Sequence, residues 1–258
     1  MKFAIYSMAD KDVGYVEKMV LQAAYQKGLS LDNDNPDFVF VLGGDGTFLR
    51  AVHEYMDKID QVKFVGIRCG TLGFFYEFEV GDIKRVIDLI STGNYIDESH
   101  RLIECDLNNK TIYAVNEIRF ENPFHTLVCN VSLDDYELET FHGNGLLVCN
   151  ELGSTAYNKS LGGSVISHHL DLLELTEISM IQNNSFRSLG APLILKADSK
   201  IKFTGNFHNV IVGYDHLTCN PNGADEIVVT GSTKRVHLVF DTNYCPLNNL
   251  KRSFIKWF

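Results

Sequence analysis

The chain has 258 residues, of which 45% are hydrophobic and 22% charged, a composition typical of a globular protein with a sizeable core. Its 33 acidic residues outnumber 23 basic ones and give a formal net charge of −10, which disfavours nucleic acid and anionic membranes as main partners because both select a basic face. A phosphorylated ligand would therefore depend on local backbone donors, a metal or a few positioned cations.

The six cysteines are widely scattered, and none forms a Cys-x-x-Cys pair, so a zinc site is not predicted. The nine histidines show no metal-binding spacing either, and we predict no metal held by protein side chains. No apolar run approaches the ~20 residues that span a bilayer, and residues 1–6 lack the apolar core of a secretory signal. We therefore expect a reduced, soluble, cytoplasmic protein.

Strands and helices alternate from residue 1 to about residue 95, which predicts a parallel sheet with helices on both faces. Gly28 and Gly93 are the predicted helix stops. In sheets of this kind, ligands bind beyond the carboxyl ends of the strands. The predicted elements are strand 3–6, helix 13–26, strand 38–42, helix 48–56, strand 62–67 and helix 82–90.

A glycine-rich segment, Gly43-Gly44-Asp45-Gly46-Thr47, connects the second predicted strand to a helix. Glycine allows close approach of a ligand to the backbone, and a helix N-terminus offers unpaired N–H groups to an anion. Asp45 would repel bare phosphate, but it could bind a metal–phosphate complex or accept a proton from an attacking hydroxyl. A tight turn with Thr47 as the helix cap explains the same five residues equally well.

A second glycine-rich turn, Gly70-Thr71-Leu72-Gly73, follows the third predicted strand and is expected at the same sheet edge. The aromatic run Phe74-Phe75-Tyr76 comes next. These rings could border a pocket, although by itself such a run is more typical of a core.

Short β-prone runs separated by turn signals follow Asn94, and they predict a second, mostly antiparallel β domain. The main helical interruption is expected after Gly153-Ser154-Thr155. The predicted strands are 101–107, 111–120, 127–133, 145–149, 177–181, 193–195, 200–203, 226–230 and 236–240.

Two segments of this second domain could bind a nucleoside. Asn116-Glu117 supplies hydrogen-bond donors and acceptors that suit an adenine edge and a ribose diol, although taken alone the pair is more typical of a strand end facing water. In the run from Gly153 to Gly163, Ser154 or Thr155 could cap a helix, Ala156 would admit a flat ring, and Tyr157 could pack against it. The alternative is an ordinary capped helix with a glycine stop.

The order of these motifs resembles that of the bacterial NAD kinases, the ATP/polyphosphate-dependent NAD kinase family. The resemblance extends from about residue 36 to residue 195, and the first glycine motif alone is weak because diacylglycerol and sphingosine kinases share it. The motifs that carry it are Pro36-Asp37, Gly43-Gly44-Asp45-Gly46-Thr47, Gly70-Thr71-Leu72-Gly73-Phe74, Asn116-Glu117, the run from Gly153 to Gly163, Leu175-Thr176-Glu177-Ile178 and Gly190-Ala191-Pro192-Leu193.

The resemblance implies an N-terminal Rossmann-like α/β domain, related to those of phosphofructokinase and diacylglycerol kinase, and a C-terminal antiparallel β domain. With the chain's end returning to the first domain, the limits are 1–97 plus about 241–258, and 98–240. The implied reaction is phosphorylation of NAD to NADP by ATP, or by polyphosphate in some members, with Mg²⁺ or Mn²⁺ carried by the ATP phosphates. The implied assembly is a homotetramer or homodimer.

Family roles transfer residue by residue onto the matching positions. Asp45 is implied to be the general base for the 2′-hydroxyl of the adenosine ribose, a poor nucleophile. Gly46 would contact NAD through its backbone, Phe74 would border it, and Asn116 with Glu117 would bind adenine and ribose groups. The residues implied to line the adenine pocket are Thr155, Ala156, Tyr157, Asn158, Lys159 and Ser160.

The chain departs from the family pattern at three places. His142-Gly143-Asn144-Gly145 replaces Arg-Gly-Asp-Gly, Asn150-Glu151-Leu152-Gly153 replaces Thr-Pro-Thr-Gly, and Ser179 stands where alanine is common. We include His142, Asn144 and Ser179 among the predicted NAD contacts. Asn144 loses a charge and His142 is a weaker permanent cation than arginine, so these changes leave the affinity and the preference between NAD and NADH open.

Three hypotheses remain at the level of the sequence. The first is an NAD kinase, and the second is a lipid kinase with the same glycine-aspartate loop, which Asn116-Glu117 and the 155–160 loop disfavour. The third is a nucleotide-binding sensor that has lost turnover through the changes at residues 142 and 144.

Overall fold

The computed structural model describes residues 1–8, 13–70, 73–107, 110–221 and 223–255. The chain divides into two compact units, Met1–His100 with Arg235–Phe258, and Arg101–Lys234. The first unit is α/β with a parallel sheet and the second is built from antiparallel strands, so the predicted fold class is confirmed. The domain limits after residues 97 and 240 stay a prediction.

The helices and strands alternate in the first unit, whereas the second unit consists mainly of strands. In chain order they are β1 (Lys2–Ser7), α1 (Val13–Gln26), β2 (Ser30–Leu31), β3 (Phe38–Gly43), α2 (Asp45–Glu54), a 3-10 helix (Met56–Gln61), β4 (Lys63–Arg68), β5 (Phe78–Glu79), a 3-10 turn (Val80–Asp82), α3 (Ile83–Thr92), β6 (Ile96–Asp106), β7 (Thr111–Ala114), β8 (Glu117–Glu121), β9 (Leu127–Leu133), β10 (Tyr136–Gly143), β11 (Gly145–Cys149), a 3-10 turn (Gly153–Thr155), α4 (Tyr157–Ser160), β12 (Leu172–Ile178), β13 (Leu193–Lys196), β14 (Ile201–Gly205), β15 (Ile211–Tyr214), β16 (Leu217–Cys219), β17 (Glu226–Phe240), α5 (Pro246–Leu250) and a π-helical turn (Lys251–Ile255).

The sheet of the first unit runs in the order β2, β1, β3, β4 and the end of β17, with every one of these pairs parallel. Side chains alternate across it. On one face, Phe40 of β3 packs in a core cluster with Val20 of α1 and Val86 of α3. On the other face, Phe48 of α2 packs against Phe64 of β4 with ring centroids 5.7 Å apart. Helices therefore cover both faces, as predicted.

The helix after the first glycine loop begins earlier than predicted. Gly44 in an extended conformation is its N-cap, and the carbonyl of Gly44 accepts the N–H groups of Thr47 and Phe48 at 2.8 and 3.1 Å. Asp45 is therefore the first helical residue, and the alternative with Thr47 as the cap is wrong. The two predicted helix stops are confirmed, since Gly28 and Gly93 have φ of 76° and 72°.

The second unit stacks two antiparallel sheets over one core. One sheet contains β10, β9, β14 and the start of β17, and the other has the order β13-β12-β11-β8-β15-β16. Phe120 of β8 and Phe203 of β14 meet in the core with ring centroids 5.0 Å apart. Among the described residues of both units, no helix is long and apolar enough to cross a membrane.

Several strand predictions in the second unit need correction. The predicted strand 111–120 is two strands, the predicted strand 177–181 is displaced to Leu172–Ile178, and the runs 226–230 and 236–240 form one continuous strand. β10 was missed because its side chains are mostly polar and only two of its eight residues are buried, and the short β15 and β16 were missed too. Thr71-Leu72 of the second glycine-rich turn and the tail 256–258 lie outside the described residues.

Candidate active site

Asp45 is the first residue of helix α2, and the backbone that follows the second glycine turn holds its carboxylate. Oδ1 accepts hydrogen bonds from the N–H groups of Phe74 at 2.8 Å and Phe75 at 3.2 Å, and Oδ2 accepts the N–H of Phe74 at 3.1 Å. Burial raises the pKa of Asp45, and the two N–H groups and the charge of Arg252 oppose that rise. A fixed carboxylate with a raised pKa is a stronger proton acceptor than a free one.

Two glycines shape this loop in different ways. A Cβ on Gly73 would lie 2.7 Å from Cδ2 of Tyr76 and 3.4 Å from Oδ1 of Asp45, so only glycine fits there. The Tyr76 hydroxyl in turn donates to the Gly44 carbonyl at 2.8 Å. Gly46 is exposed, and a Cβ there would meet no described atom within 4 Å. A ligand can therefore reach the backbone at Gly46.

Asn116 lies between β7 and β8 of the second unit, Glu117 is the first residue of β8, and both are buried. The interpretation as a strand end facing water is therefore wrong. Asp215 accepts the N–H groups of Val115 and Asn116 at 2.8 and 2.7 Å. Oδ1 of Asn116 and Oε2 of Glu117 are buried without a hydrogen-bond donor among the described residues. Because buried acceptors are nearly always paired, these two oxygens point to a ligand that brings donors.

Burial, followed by the charge of Asp215, raises the pKa of Glu117 to about 7. Arg119 opposes this rise, since its Nη1 lies 3.1 Å from Oε1 of Glu117. Glu117, Arg119 and Asp215 line a cavity of about 370 Å³ together with Glu121 and Tyr157. The cavity thus combines an aromatic face, a cation and carboxylate oxygens, which suits a base and a sugar diol.

The segment after β11 packs directly on Asn116. A Cβ on Gly153 would lie 1.9 Å from the Asn116 carbonyl oxygen, so this close approach requires glycine. The expected capping of a helix by Ser154 or Thr155 is wrong. Their hydroxyls donate to the carbonyls of Glu151 and Leu152 at 2.7 and 3.3 Å, and the N-cap of α4 is Ala156.

Within the predicted adenine segment, exposure separates two kinds of residue. Asn158 is fully buried; its Nδ2 donates to Glu174 at 3.0 Å and its Oδ1 accepts the Thr176 hydroxyl at 2.6 Å. This side chain holds the segment in place. The half-buried Thr155 and Ala156 and the exposed Tyr157, Lys159 and Ser160 are the members that can face a ligand.

The remaining predicted contacts, His142, Asn144 and Ser179, cluster at the ends of β10 and β12. The Asn144 N–H donates to the Ile178 carbonyl at 3.0 Å, and the His142 ring stacks on Phe186 with centroids 4.1 Å apart. Ser179 has a left-handed φ of 48° and lines a separate cavity of about 290 Å³. Of the predicted residues of the second unit, Glu117 and Tyr157 therefore line one cavity and Ser179 lines the other.

Sequence reasoning missed three residues that shape these sites and gave a fourth, Tyr76, a different role. Asp215 and Arg119 orient Asn116 and Glu117, and Tyr76 and Arg252 hold the glycine loop, the latter through Nη2 to the Gly73 carbonyl at 3.1 Å. Tyr76 lies in the aromatic run that the sequence already indicated. The other three have no local signal, because each acts on a segment that is distant in the sequence or lies in an ordinary strand.

Two family models match most of the chain. The model of the ATP-NAD kinase N-terminal domain matches residues 8–95, and that of the ATP-NAD kinase C-terminal domain matches residues 116–240. The NAD kinase of Leuconostoc citreum is 30% identical over 99% of this chain and 98% of its own length. The NAD kinase of Lysinibacillus sphaericus is 35% identical over 92% of each chain.

Two solved structures share the fold. Yeast NADH kinase in complex with NADH superposes with a TM-score of 0.85 at 20% identity, covering 100% of this chain and 89% of that one. An NAD kinase from Archaeoglobus fulgidus in complex with ATP has a TM-score of 0.79 at 22% identity, covering 97% of each chain.

Proposed function

The chain belongs to the NAD kinase family, and from that premise we propose that it transfers the terminal phosphoryl group of ATP to the 2′-hydroxyl of the adenosine ribose of NAD, giving NADP and ADP. The observation that carries the proposal is the carboxylate of Asp45, fixed at an open helix N-terminus by the N–H groups of Phe74 and Phe75. This arrangement supplies an oriented base beside a backbone that a ligand can approach.

Asp45 acts as the general base in this proposal. Its carboxylate takes the proton of the ribose hydroxyl while the hydroxyl oxygen forms a bond to the γ-phosphorus, and the bond from phosphorus to the bridging oxygen breaks to release ADP. General-base assistance of this kind is worth about 10²–10⁴-fold in rate. The raised pKa of Asp45 favours the proton transfer.

The nucleoside contacts follow from the buried acceptors. Oδ1 of Asn116 would accept a hydrogen bond from the adenine amino group, and Oε2 of Glu117 would accept hydrogen bonds from ribose hydroxyls, so that the two oxygens without partners among the described residues gain donors. Tyr157 would cover the adenine face, with Thr155, Ala156, Lys159 and Ser160 beside it and Asn158 holding the segment. Gly46 and Phe74 would contact NAD near Asp45, whereas His142, Asn144 and Ser179 would lie on the nicotinamide side.

The phosphate donor enters as a complex with Mg²⁺ or Mn²⁺, which is part of the substrate. Asp45 fits this form, because a carboxylate at a helix N-terminus repels bare phosphate and tolerates phosphate neutralised by a metal. We further propose a homotetramer or homodimer in the cytoplasm, with the domains divided after residues 97 and 240.

The test is the formation of NADP from ATP, magnesium and NAD by the purified protein, compared with its Asp45→Asn variant. We expect turnover to fall about 10²–10⁴-fold in the variant while NAD affinity changes little, since only the proton acceptor is lost. Asp57→Asn is the matched control, because Asp57 is an exposed carboxylate outside the site.

Near-normal kcat in Asp45→Asn would rule out the base assignment. A wild-type protein that binds NAD but forms no NADP with either ATP or polyphosphate would contradict the proposed activity and favour a nucleotide-binding sensor.

A further inference from the structure

Two buried arginine donors of the first unit lack an acceptor among the described residues. The Arg68 side chain is 11% exposed; its Nη2 pairs with Glu79, whereas its Nη1 is buried without a hydrogen-bond partner. The Nε of Arg252 is also buried without a partner. Because leaving a charged donor unpaired is costly, both groups call for an acceptor that the described residues do not supply.

Both guanidinium groups lie beside the loop that carries Asp45. Arg68 ends β4 and lies opposite Gly43 in the pairing of β3 with β4. Arg252 donates through Nη2 to the carbonyl of Gly73 at 3.1 Å, and a Cβ on Gly73 would lie only 3.4 Å from Oδ1 of Asp45. The unpaired donors are therefore next to the catalytic carboxylate and close to the first turn of α2.

The positive charges of Arg68 and Arg252 are opposed by the carboxylates of Glu79 and Asp45, yet the two cations repel each other. Burial and then the positive charge of Arg68 lower the pKa of Arg252, so the two cations are within electrostatic range. Glu79 partly compensates, but its side chain is 63% exposed and water screens it. A polyvalent anion would satisfy both guanidinium groups, whose planar forks match phosphate oxygens.

We propose that Arg68 and Arg252 form the anion site that holds the phosphate chain of the phosphoryl donor. The inference rests on the proposed function and names the residues that bind its second substrate. The two side chains would orient the donor so that its terminal phosphorus faces the hydroxyl that Asp45 deprotonates. In a chain of net charge −10, such local cations supply the attraction that the whole molecule lacks.

The direct test is calorimetric binding of inorganic tripolyphosphate, ATP and NAD, each in the presence of magnesium, to the wild type, Arg68→Gln and Arg252→Lys. We expect about 10–100-fold weaker binding of both phosphate ligands in each variant, with NAD affinity kept within about threefold. Arg252→Lys retains a cation that can reach the Gly73 carbonyl but loses the Nε donor. Comparing ATP with tripolyphosphate separates recognition of the phosphate chain from recognition of the nucleoside.

Two matched variants separate ligand binding from loop support. Arg50→Gln removes an exposed cation from α2 and should leave all three affinities unchanged. Glu79→Gln releases Arg68 from its ion pair and should tighten tripolyphosphate binding by about threefold or more, whereas a purely structural ion pair predicts no tightening.

The proposal is overturned if the wild type does not bind tripolyphosphate, if Arg68→Gln binds it unchanged, or if that variant loses NAD affinity to the same extent. If thermal melting shows that Arg252→Lys is unfolded, Arg68→Gln and Glu79→Gln decide. Because binding requires no turnover, tripolyphosphate held by these arginines in a protein that forms no NADP would refute the proposed activity and still support the anion site.

Discussion

The carboxyl group of Glu117 is buried, lies near other charged groups and belongs to the proposed NAD site. Its pKa of about 7 means that it is largely protonated in mildly acidic solution, and a protonated carboxyl is a poorer acceptor for two ribose hydroxyls. We expect the Kd for NAD to rise as the pH falls below about 7, and to lose most of this dependence in Glu117→Gln. Calorimetric titration of NAD across this range measures the effect; a wild-type Kd independent of pH would contradict the proposed contact.

The same pKa has a consequence for stability. Because the pKa of Glu117 is higher in the folded protein than in the unfolded chain, the folded state binds the proton more tightly. The corresponding stabilisation is present below about pH 4.5 and is lost as the pH rises through about 7. Burial also raises the pKa of Glu77 to about 7, with the same sign.

We therefore expect the unfolding free energy to decline less between about pH 5 and about pH 8 in Glu117→Gln than in the wild type. Urea unfolding at both pH values provides the measurement, and Glu77 keeps part of the decline in the variant. An unchanged difference between the two pH values would show that burial of Glu117 has no energetic consequence.

At the scale of elements, the two glycine turns are connected through the carboxylate of Asp45. They come close at Gly73, where an added Cβ would lie 3.4 Å from Oδ1 of Asp45. In Gly73→Ala the new methyl group would overlap the fully buried Tyr76 ring at 2.7 Å. We expect a loss of about 1–3 kcal/mol in unfolding free energy, together with reduced turnover because Asp45 shifts. Gly81→Ala is the control, since a Cβ there meets no described atom within 4 Å; equal behaviour of the two variants would contradict the packing argument.

The first turn of α2 allows binding to be separated from folding. Gly46→Ala adds a methyl group to an exposed helical position with open space around it. We expect the unfolding free energy to stay the same or rise by up to about 1 kcal/mol, because alanine is the better helix former. The KM for NAD should rise, because the methyl group occupies the space of the ligand. An unchanged KM would place NAD away from Gly46.

At the scale of the whole molecule, the reactivity of the six free cysteines tests whether the native fold protects its interior. Cys105, Cys129 and Cys149 are buried, and burial raises the pKa of each, to about 12 for Cys129. We expect these three to resist a thiol reagent in the native protein and to react once it is unfolded, because both the thiolate and access are absent before unfolding. Cys69, Cys219 and Cys245 are partly accessible. Modification of all six at one rate without denaturant would contradict the burial of Cys105, Cys129 and Cys149.

The local patterns of the sequence were sufficient for the architecture of the first unit and for the family. Alternating apolar runs, Gly28 and Gly93 as helix stops, and the glycine-aspartate loop are short-range signals, because periodicity and left-handed glycines act within a few residues. In the second unit the same approach joined β7 to β8 and divided β17, since β propensity depends on neighbouring strands.

Only the tertiary structure decided the environment of the site residues. Asp215 reaches the N–H of Val115 across 100 residues of sequence, and Arg252 reaches Gly73 across 179. Neither contact leaves a local pattern. The same holds for the burial of Asn116, against whose backbone Gly153 packs. The residue types that can do chemistry are therefore readable from the chain, whereas their acidity and their unpaired atoms arise from long-range packing.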